Sequence, residues 1–71
     1  MSSPQAQRWQ PSTGEHYFLI LGNGRIARFP WNDTDFDRAA WHFGNCFQTS
    51  EQAEQAREKI REVFHTLHQS W

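Results

Sequence analysis

The stretch EHYFLILGNGRIARFPW, residues 15–31, decides the fold of this chain. It contains two runs rich in aromatic and branched apolar side chains, residues 15–21 and 25–31, on either side of Gly22-Asn23-Gly24. Such runs are typical of strands, and Asn-Gly is the preferred pair of a two-residue type I′ turn. The sequence therefore predicts an antiparallel β-hairpin.

A two-residue turn on that Asn-Gly pair also predicts the register, with Leu21 opposite Ile26. One face, expected to be the core side, then carries Phe18, Ile20, Ala27, Phe29 and Trp31. The other face carries Tyr17, Leu19, Leu21, Ile26 and Arg28. This second face is too apolar for full exposure. Two alternatives account for how this face is covered. One is a homodimer formed through this face or a strand edge. The other is an intramolecular lid, formed by Trp9 with Pro11 or by Trp41 with Phe43.

From Thr49 onward the sequence has a helical period. Thr49 and Gln52 fit a capping box, and Glu51 places negative charge in the first turn. Apolar residues then recur at helical spacing, namely Ala53, Ala56, Ile60, Val63, Phe64 and Leu67. We expect an amphipathic helix from about residue 50 to about residue 68, with its apolar stripe packed on the hairpin.

The remaining segments complete the predicted organisation. Residues 1–8 are rich in Ser, Gln and Pro and are expected to form a disordered tail. Residues 32–44 are expected to be a loop with one helical turn, and residues 45–48 a short third strand. The fold class expected is α+β in a single domain, residues 9–71, with an antiparallel β-hairpin of two to three strands packed on one C-terminal amphipathic helix.

The composition limits the classes of function. A chain of 71 residues builds one small core, and its single Cys46 excludes an intramolecular disulfide. The formal charge of −1 argues against a general nucleic-acid or membrane binder. The sequence has no apolar run of about 18 residues and no signal-peptide pattern, so we expect a cytoplasmic protein without membrane contact.

Two patterns suggest metal binding, and both are incomplete. The alternating carboxylates of residues 33–37 resemble the start of a calcium loop, but its sixth and twelfth positions hold Arg38 and Gly44 instead of Gly and Glu. His65 and His68 have a metal-ligand spacing without further ligands. The sequence therefore predicts no catalytic residue, no metal, no cofactor and no enzymatic activity.

Aromatic residues make up 15% of the chain, which is more than one small core needs. Interfaces favour aromatic rings together with arginine. The candidate residues for contact with a protein partner are Tyr17, Arg25, Arg28, Trp41 and Trp71. The alternative is a small module that binds single-stranded nucleic acid through the basic and aromatic side chains of the hairpin.

Three separated blocks of sequence agree in order with a pattern seen elsewhere. They are Trp9-x-Pro11-x-x-Gly14-Glu15-x-Tyr17, then Trp31 with Asp33 and Asp35, and then Gly44-Asn45-x-Phe47-x-Thr49-x-Glu51-x-Ala53. In this pattern the chain resembles small, uncharacterised phage and prophage proteins. The resemblance implies a mobile-element accessory protein that inhibits a host macromolecular machine, as anti-CRISPR proteins do, and it implies no catalytic residue.

Overall fold

The structure, a computed structural model, describes residues 8–71, which form a β-hairpin and two helices. The elements are β1 (His16–Ile20), β2 (Ile26–Pro30), α1 (Asp35–Phe43) and α2 (Ser50–Ser70). The strands pair antiparallel and α2 packs on the hairpin, so the expected α+β class is confirmed. The predicted tail lies outside the described residues except for Arg8, whose guanidinium stacks on the ring of Trp41.

The register of the hairpin differs from the predicted one by one residue. Ile20 pairs with Ile26, and Tyr17 pairs with Phe29. The slip exchanges the two faces of β1, because successive side chains of a strand point to opposite sides. Tyr17 therefore joins the core that the sequence assigned to Phe18.

The cause of this difference is a three-residue turn in place of the expected two-residue turn. The Leu21 amide donates to the Arg25 carbonyl at 2.7 Å, and the Gly24 amide donates to the Leu21 carbonyl at 2.9 Å. Gly24 has a φ of 84°, whereas Asn23 keeps a negative φ and accepts a hydrogen bond from the Arg25 amide. This arrangement is that of a type I turn followed by a bulge with a left-handed glycine.

The core lies on the face of the hairpin that carries Tyr17 and Leu19. These two residues and Trp31 form a buried group, here called the core cluster. The rings of Tyr17 and Trp31 meet edge to face, with centroids 5.8 Å apart, which is a favourable aromatic geometry. The partly buried side chains around the core cluster are Trp9, Ala27, Phe29, Ala40, Trp41 and Cys46.

Residues 45–47 run beside β1 without forming the third strand that the sequence suggested. Phe18 and Phe47 exchange two backbone hydrogen bonds of 2.8 Å in an isolated bridge. The side-chain amide of Asn45 donates to the Ile20 carbonyl and accepts from the Ile20 amide, both at 2.8 Å. The Asn45 side chain therefore makes the two hydrogen bonds to Ile20 that the backbone of a further strand residue would otherwise make.

α1 is longer than the single turn predicted for residues 32–44. It begins with a capping box, in which the Thr34 hydroxyl accepts from the Asp37 amide and the Asp37 carboxylate accepts from the Thr34 amide. It ends at Gly44, which has a φ of 98° and donates its amide to carbonyls of the last turn. Both ends thus satisfy backbone groups that a helix leaves unpaired.

α2 begins at the predicted cap and extends two residues beyond the predicted end. The Thr49 hydroxyl accepts from the Gln52 amide at 3.2 Å, while the Gln52 side chain accepts from the Gln48 amide instead of completing the box. Ala53 is fully buried, and α2 packs on both strands of the hairpin. The predicted packing of the whole apolar stripe is wrong, because Ile60 and the later stripe residues are exposed.

The carboxylate of Asp37 connects α1 to the hairpin. Its Oδ1 accepts from the Tyr17 hydroxyl at 2.6 Å, and its Oδ2 accepts from the amides of Asn32 at 2.8 Å and Thr34 at 3.2 Å. Burial favours a raised pKa for this carboxyl, but the hydrogen bonds outweigh burial and the pKa of Asp37 lies below its usual value. Burial, followed by the Asp37 carboxylate, raises the pKa of Tyr17.

The turn generates a first prediction. Gly24→Ala should lower the free energy of unfolding by about 1–2 kcal/mol, because a left-handed φ strains any residue with a Cβ. Gly22→Ala is the matched control, since a Cβ at either position meets no atom within 4 Å and Gly22 has no positive φ. Urea unfolding of both variants makes the comparison, and equal losses would contradict the turn described above.

The Asp37 contact generates a second prediction. Tyr17→Phe should lower the free energy of unfolding at pH 7 by about 1–3 kcal/mol, because it removes a buried hydrogen bond to a charged acceptor. A lowered folded pKa means that the Asp37 contribution is present above about pH 4 and is lost as pH falls through the folded pKa. The difference between wild type and variant, measured by urea unfolding from pH 7 to pH 2, should therefore shrink in acid. A difference independent of pH would be inconsistent with an ionised acceptor.

Candidate protein-interaction surface

α2 is too long for the hairpin that it packs on. Its 21 residues span about 31 Å, whereas a five-residue strand spans about 17 Å. The burial of α2 agrees with this difference in length. Ala53 is buried and Ala56 is half-buried, whereas every residue from Glu58 to Trp71 is exposed. The second half of α2 therefore extends beyond the sheet.

The exposed half of α2 carries a continuous row of large apolar side chains. We call Ile60, Val63, Phe64, Leu67 and Trp71 the apolar face of α2. Phe64 is 57% exposed and Trp71 83%, and Phe43 at the end of α1 is 88% exposed. With Phe43, they make a group of six apolar side chains that are each 40% or more exposed, whereas single scattered apolar residues are normal on a protein surface.

A groove joins the apolar face of α2 to Phe43. Its volume is about 340 Å³, and it is open to solvent. Side chains of the hairpin and of both helices line it, among them Ile20, Leu21, Phe43, Phe47, Ile60 and Phe64. Because Ile20 alternates with Leu19 along β1, this groove lies on the side of the hairpin opposite the core cluster.

Basic side chains border the apolar face of α2 on one side. We call Arg57, Arg61, His65 and His68 the basic flank; they recur at helical spacing and line a second groove against the hairpin turn. Arg57 donates to the Gly24 carbonyl at 3.4 Å, which ties α2 to the turn. The Glu58 carboxylate lies 3.5 Å from Nε of Arg57 and 3.8 Å from Nη1 of Arg61. Ion pairs this exposed contribute little to stability.

The five binding residues predicted from the sequence are not brought together. Tyr17 has no exposed surface, so its prediction as a contact residue is wrong. Arg25 and Arg28 are exposed on the hairpin, and Trp41 is half-buried on α1. Trp71 lies on the apolar face of α2. The alternative function, binding of single-stranded nucleic acid by the hairpin, also relies on Tyr17 to stack on bases. This ring lies in the core.

An intramolecular lid covers the hairpin face that the sequence left without a partner. Trp9 and Trp41 pack against the core cluster, and the Trp41 indole N–H donates to the Trp9 carbonyl at 2.8 Å. Pro11 is buried, whereas Phe43 remains exposed. Tyr17 and Leu19 are therefore not available to a second copy, because this chain already covers both residues, and a homodimer through a strand edge stays a prediction.

The candidate metal ligands have other partners or lie exposed. Asp37 binds Tyr17, as described above, while Asp33 and Asp35 pair with Arg38 at 3.2 Å and 2.7 Å. His65 and His68 are exposed on the basic flank. Among residues 8–71, no group of three or more His, Cys, Asp or Glu side chains is placed to hold a metal ion.

Cys46 lies next to the core cluster and is half-buried. Burial is the main cause that raises the pKa of its thiol to about 11, and the nearby Asp37 carboxylate adds to the effect. The thiolate is the nucleophilic form of cysteine, so this thiol is a weak nucleophile near neutral pH.

The sequence identified Trp71 but missed Phe43 and the apolar face of α2 as exposed residues. A signal was present, because a helix predicted over about 19 residues is about 29 Å long and exceeds any strand that residues 15–21 can form. The exposure of Phe43 had no comparable signal, since only one helical turn was predicted within residues 32–44.

The fold and the exposed surface define a small α+β domain. Comparisons of this chain with known protein families, with curated proteins and with solved structures found no match. Within the described residues, neither helix combines the length and the apolar character needed to cross a membrane.

One pair of identical substitutions tests the division between core and surface. Leu19→Ala should lower the free energy of unfolding by about 2–5 kcal/mol, because Leu19 is 3% exposed in the core cluster. Leu67→Ala, at a residue that is 42% exposed on the apolar face of α2, should cost less than about 1 kcal/mol. Thermal and urea unfolding of the two variants compare them, and a larger loss at Leu67 would contradict the exposed surface.

Proposed function

We propose that this chain is a non-enzymatic protein-binding domain whose contact surface is the apolar face of α2 together with Phe43. The observation that supports this function is the exposure of these large apolar side chains in the folded chain, from 40% at Ile60 to 88% at Phe43. A surface of this kind is energetically neutral for folding of the monomer but favours association with a complementary surface.

The same surface favours a protein partner over a nucleic acid. Its centre consists of aliphatic and aromatic side chains, as interface centres do, while charged residues stand at its edge. The acidic Glu58 and Glu62 lie on the same half of α2 and repel phosphate groups.

The resemblance to phage and prophage proteins extends this proposal to a biological role. We propose that the domain acts in the cytoplasm of a bacterial host as a stoichiometric inhibitor of a host machine, in the manner of anti-CRISPR proteins. Such inhibition needs only a stable contact that blocks or distorts the target, so it requires no catalytic group in this chain.

Site-specific photo-crosslinking in a bacterial host lysate tests the contact surface. Benzoylphenylalanine in place of Trp71 puts the reactive group on the apolar face of α2, and the same group in place of Gln69 is the matched control on the exposed side of α2. We expect a protein adduct from position 71 that survives nuclease, is absent from position 69 and is lost with Phe64→Ser. Mass spectrometry identifies the adduct.

Two outcomes would contradict this function. An adduct that disappears with nuclease would favour nucleic-acid binding, and equal adducts at positions 69 and 71 would indicate nonspecific contact. Circular dichroism of each variant ensures that a lost adduct reflects a lost contact and not a lost fold.

A further inference from the structure

The hydrogen bonds of β1 show which of its residues hold β2. The amides of Phe18 and Ile20 donate to groups of residues 45–47, on the side away from β2. Successive residues of a strand direct their backbone groups to opposite sides. Tyr17 and Leu19 therefore make the hydrogen bonds that join β1 to β2.

The outer edge of β2 is open as a consequence. Ile26 and Arg28 lie opposite Ile20 and Phe18, so their amides and carbonyls point away from β1. Within the described part of the chain, these two amides and two carbonyls have no hydrogen-bond partner, and we call them the open edge of β2. Pro30, the next residue that faces outward, has no N–H and ends this edge. Such an edge is a template for pairing with another strand.

One pairing of two copies satisfies the whole open edge of β2. When a two-fold axis passes at Ala27, Ile26 of each copy lies opposite Arg28 of the other, and four hydrogen bonds join the antiparallel strands. Beyond them, the Gly24 amide already donates within the turn and Pro30 has no amide, so no donor is left unpaired. An axis at Arg28 instead sets the two arginines opposite each other and pairs Ile26 with Pro30, which lacks a donor.

The side chains beside the open edge match in the same pairing. An axis at Ala27 sets the exposed Arg25 of each copy opposite Phe29 of the other, at a position where side chains of paired strands lie close together. Phe29 packs on Phe36 with ring centroids 5.7 Å apart, and Phe36 is 53% exposed although it is not part of the apolar face of α2. Contact between an arginine and an aromatic ring is favourable.

From the open edge of β2 and these matching side chains we infer that two copies of this chain join through β2 into one four-stranded antiparallel sheet. Pairing stops at two copies, because residues 45–47 already cover the other edge of the hairpin. The axis is perpendicular to the sheet, so both copies of α2 lie on one face of it. The dimer thus presents two apolar faces of α2 on the same side, and linked surfaces bind a repeated target more tightly than one.

A cysteine at the two-fold axis tests the pairing directly. With Cys46→Ala removing the native thiol, Ala27→Cys puts two thiols on residues whose Cα atoms are about 4.5 Å apart, within the range of a disulfide. We expect a covalent dimer after mild oxidation, detected by electrophoresis without reductant. Arg25→Cys in the same background is the matched control, because position 25 lies opposite position 29 of the other copy. It should give at least about tenfold less dimer.

Two substitutions at one position separate the backbone of the open edge from its side chains. Arg28→Pro removes an outward amide without breaking a bond to β1, whereas Arg28→Ala keeps that amide. Sedimentation of wild type from about 10 µM to about 1 mM should show a monomer–dimer equilibrium. Arg28→Pro should weaken the dimer at least about tenfold, and Arg28→Ala less than about threefold. Circular dichroism reports whether each variant is folded, and the cysteine comparison decides alone where Arg28→Pro is not.

Four results would overturn the inference. They are a wild-type chain that stays monomeric up to about 1 mM, equal disulfide dimers from positions 25 and 27, a dimer that folded Arg28→Pro leaves intact, and a dimer that Phe64→Ser abolishes. The last would place the contact on the apolar face of α2. Crosslinking from position 71 reports on that face and not on β2, so the proposed function stands or fails separately.

Discussion

The carboxylate of Asp37 is the group on which the rest of this structure depends. It accepts hydrogen bonds from the Tyr17 hydroxyl of β1 and from the backbone amides of Asn32 and Thr34 just before α1, so it joins the hairpin to a helix that follows it in sequence. A buried carboxylate is tolerated only with such partners. By holding α1 against the core cluster, the contact leaves the other side of the hairpin to α2.

The hairpin and α2 could be predicted from the sequence because their signals are local. Alternating apolar residues around Gly22-Asn23-Gly24 predict two strands, and Thr49 marks the start of a periodic helix. The register could not be predicted from the turn, since the same three residues fit a two-residue turn or a bulged three-residue turn. The hydrogen bond between Tyr17 and Asp37, 20 residues apart, favours the bulged form by placing Tyr17 inside.

α1 illustrates a different limit of sequence interpretation. Thr34 and Asp37 have the spacing of a capping box, and Gly44 has the left-handed conformation common after helices, so its boundaries were encoded. The alternating aspartates of residues 33–37 fit an acidic turn equally well, because aspartate favours turns as well as helix starts. The helix start and the acidic turn are distinguished only by the partner of each carboxylate. Asp37 accepts a hydrogen bond from Tyr17, whereas Asp33 and Asp35 pair with Arg38.

The high aromatic content divides into two sets with different physical consequences. Tyr17, Trp31 and the lid residues Trp9 and Trp41 compensate for the small size of the core, because large rings bury much area per residue. Phe43, Phe64 and Trp71 add nothing comparable to monomer stability, since they remain exposed in the folded chain. Composition alone could not separate these sets. The length of α2 relative to the hairpin identifies Phe64 and Trp71 as exposed, because a helix longer than its sheet must leave its last apolar turns to solvent or to a partner.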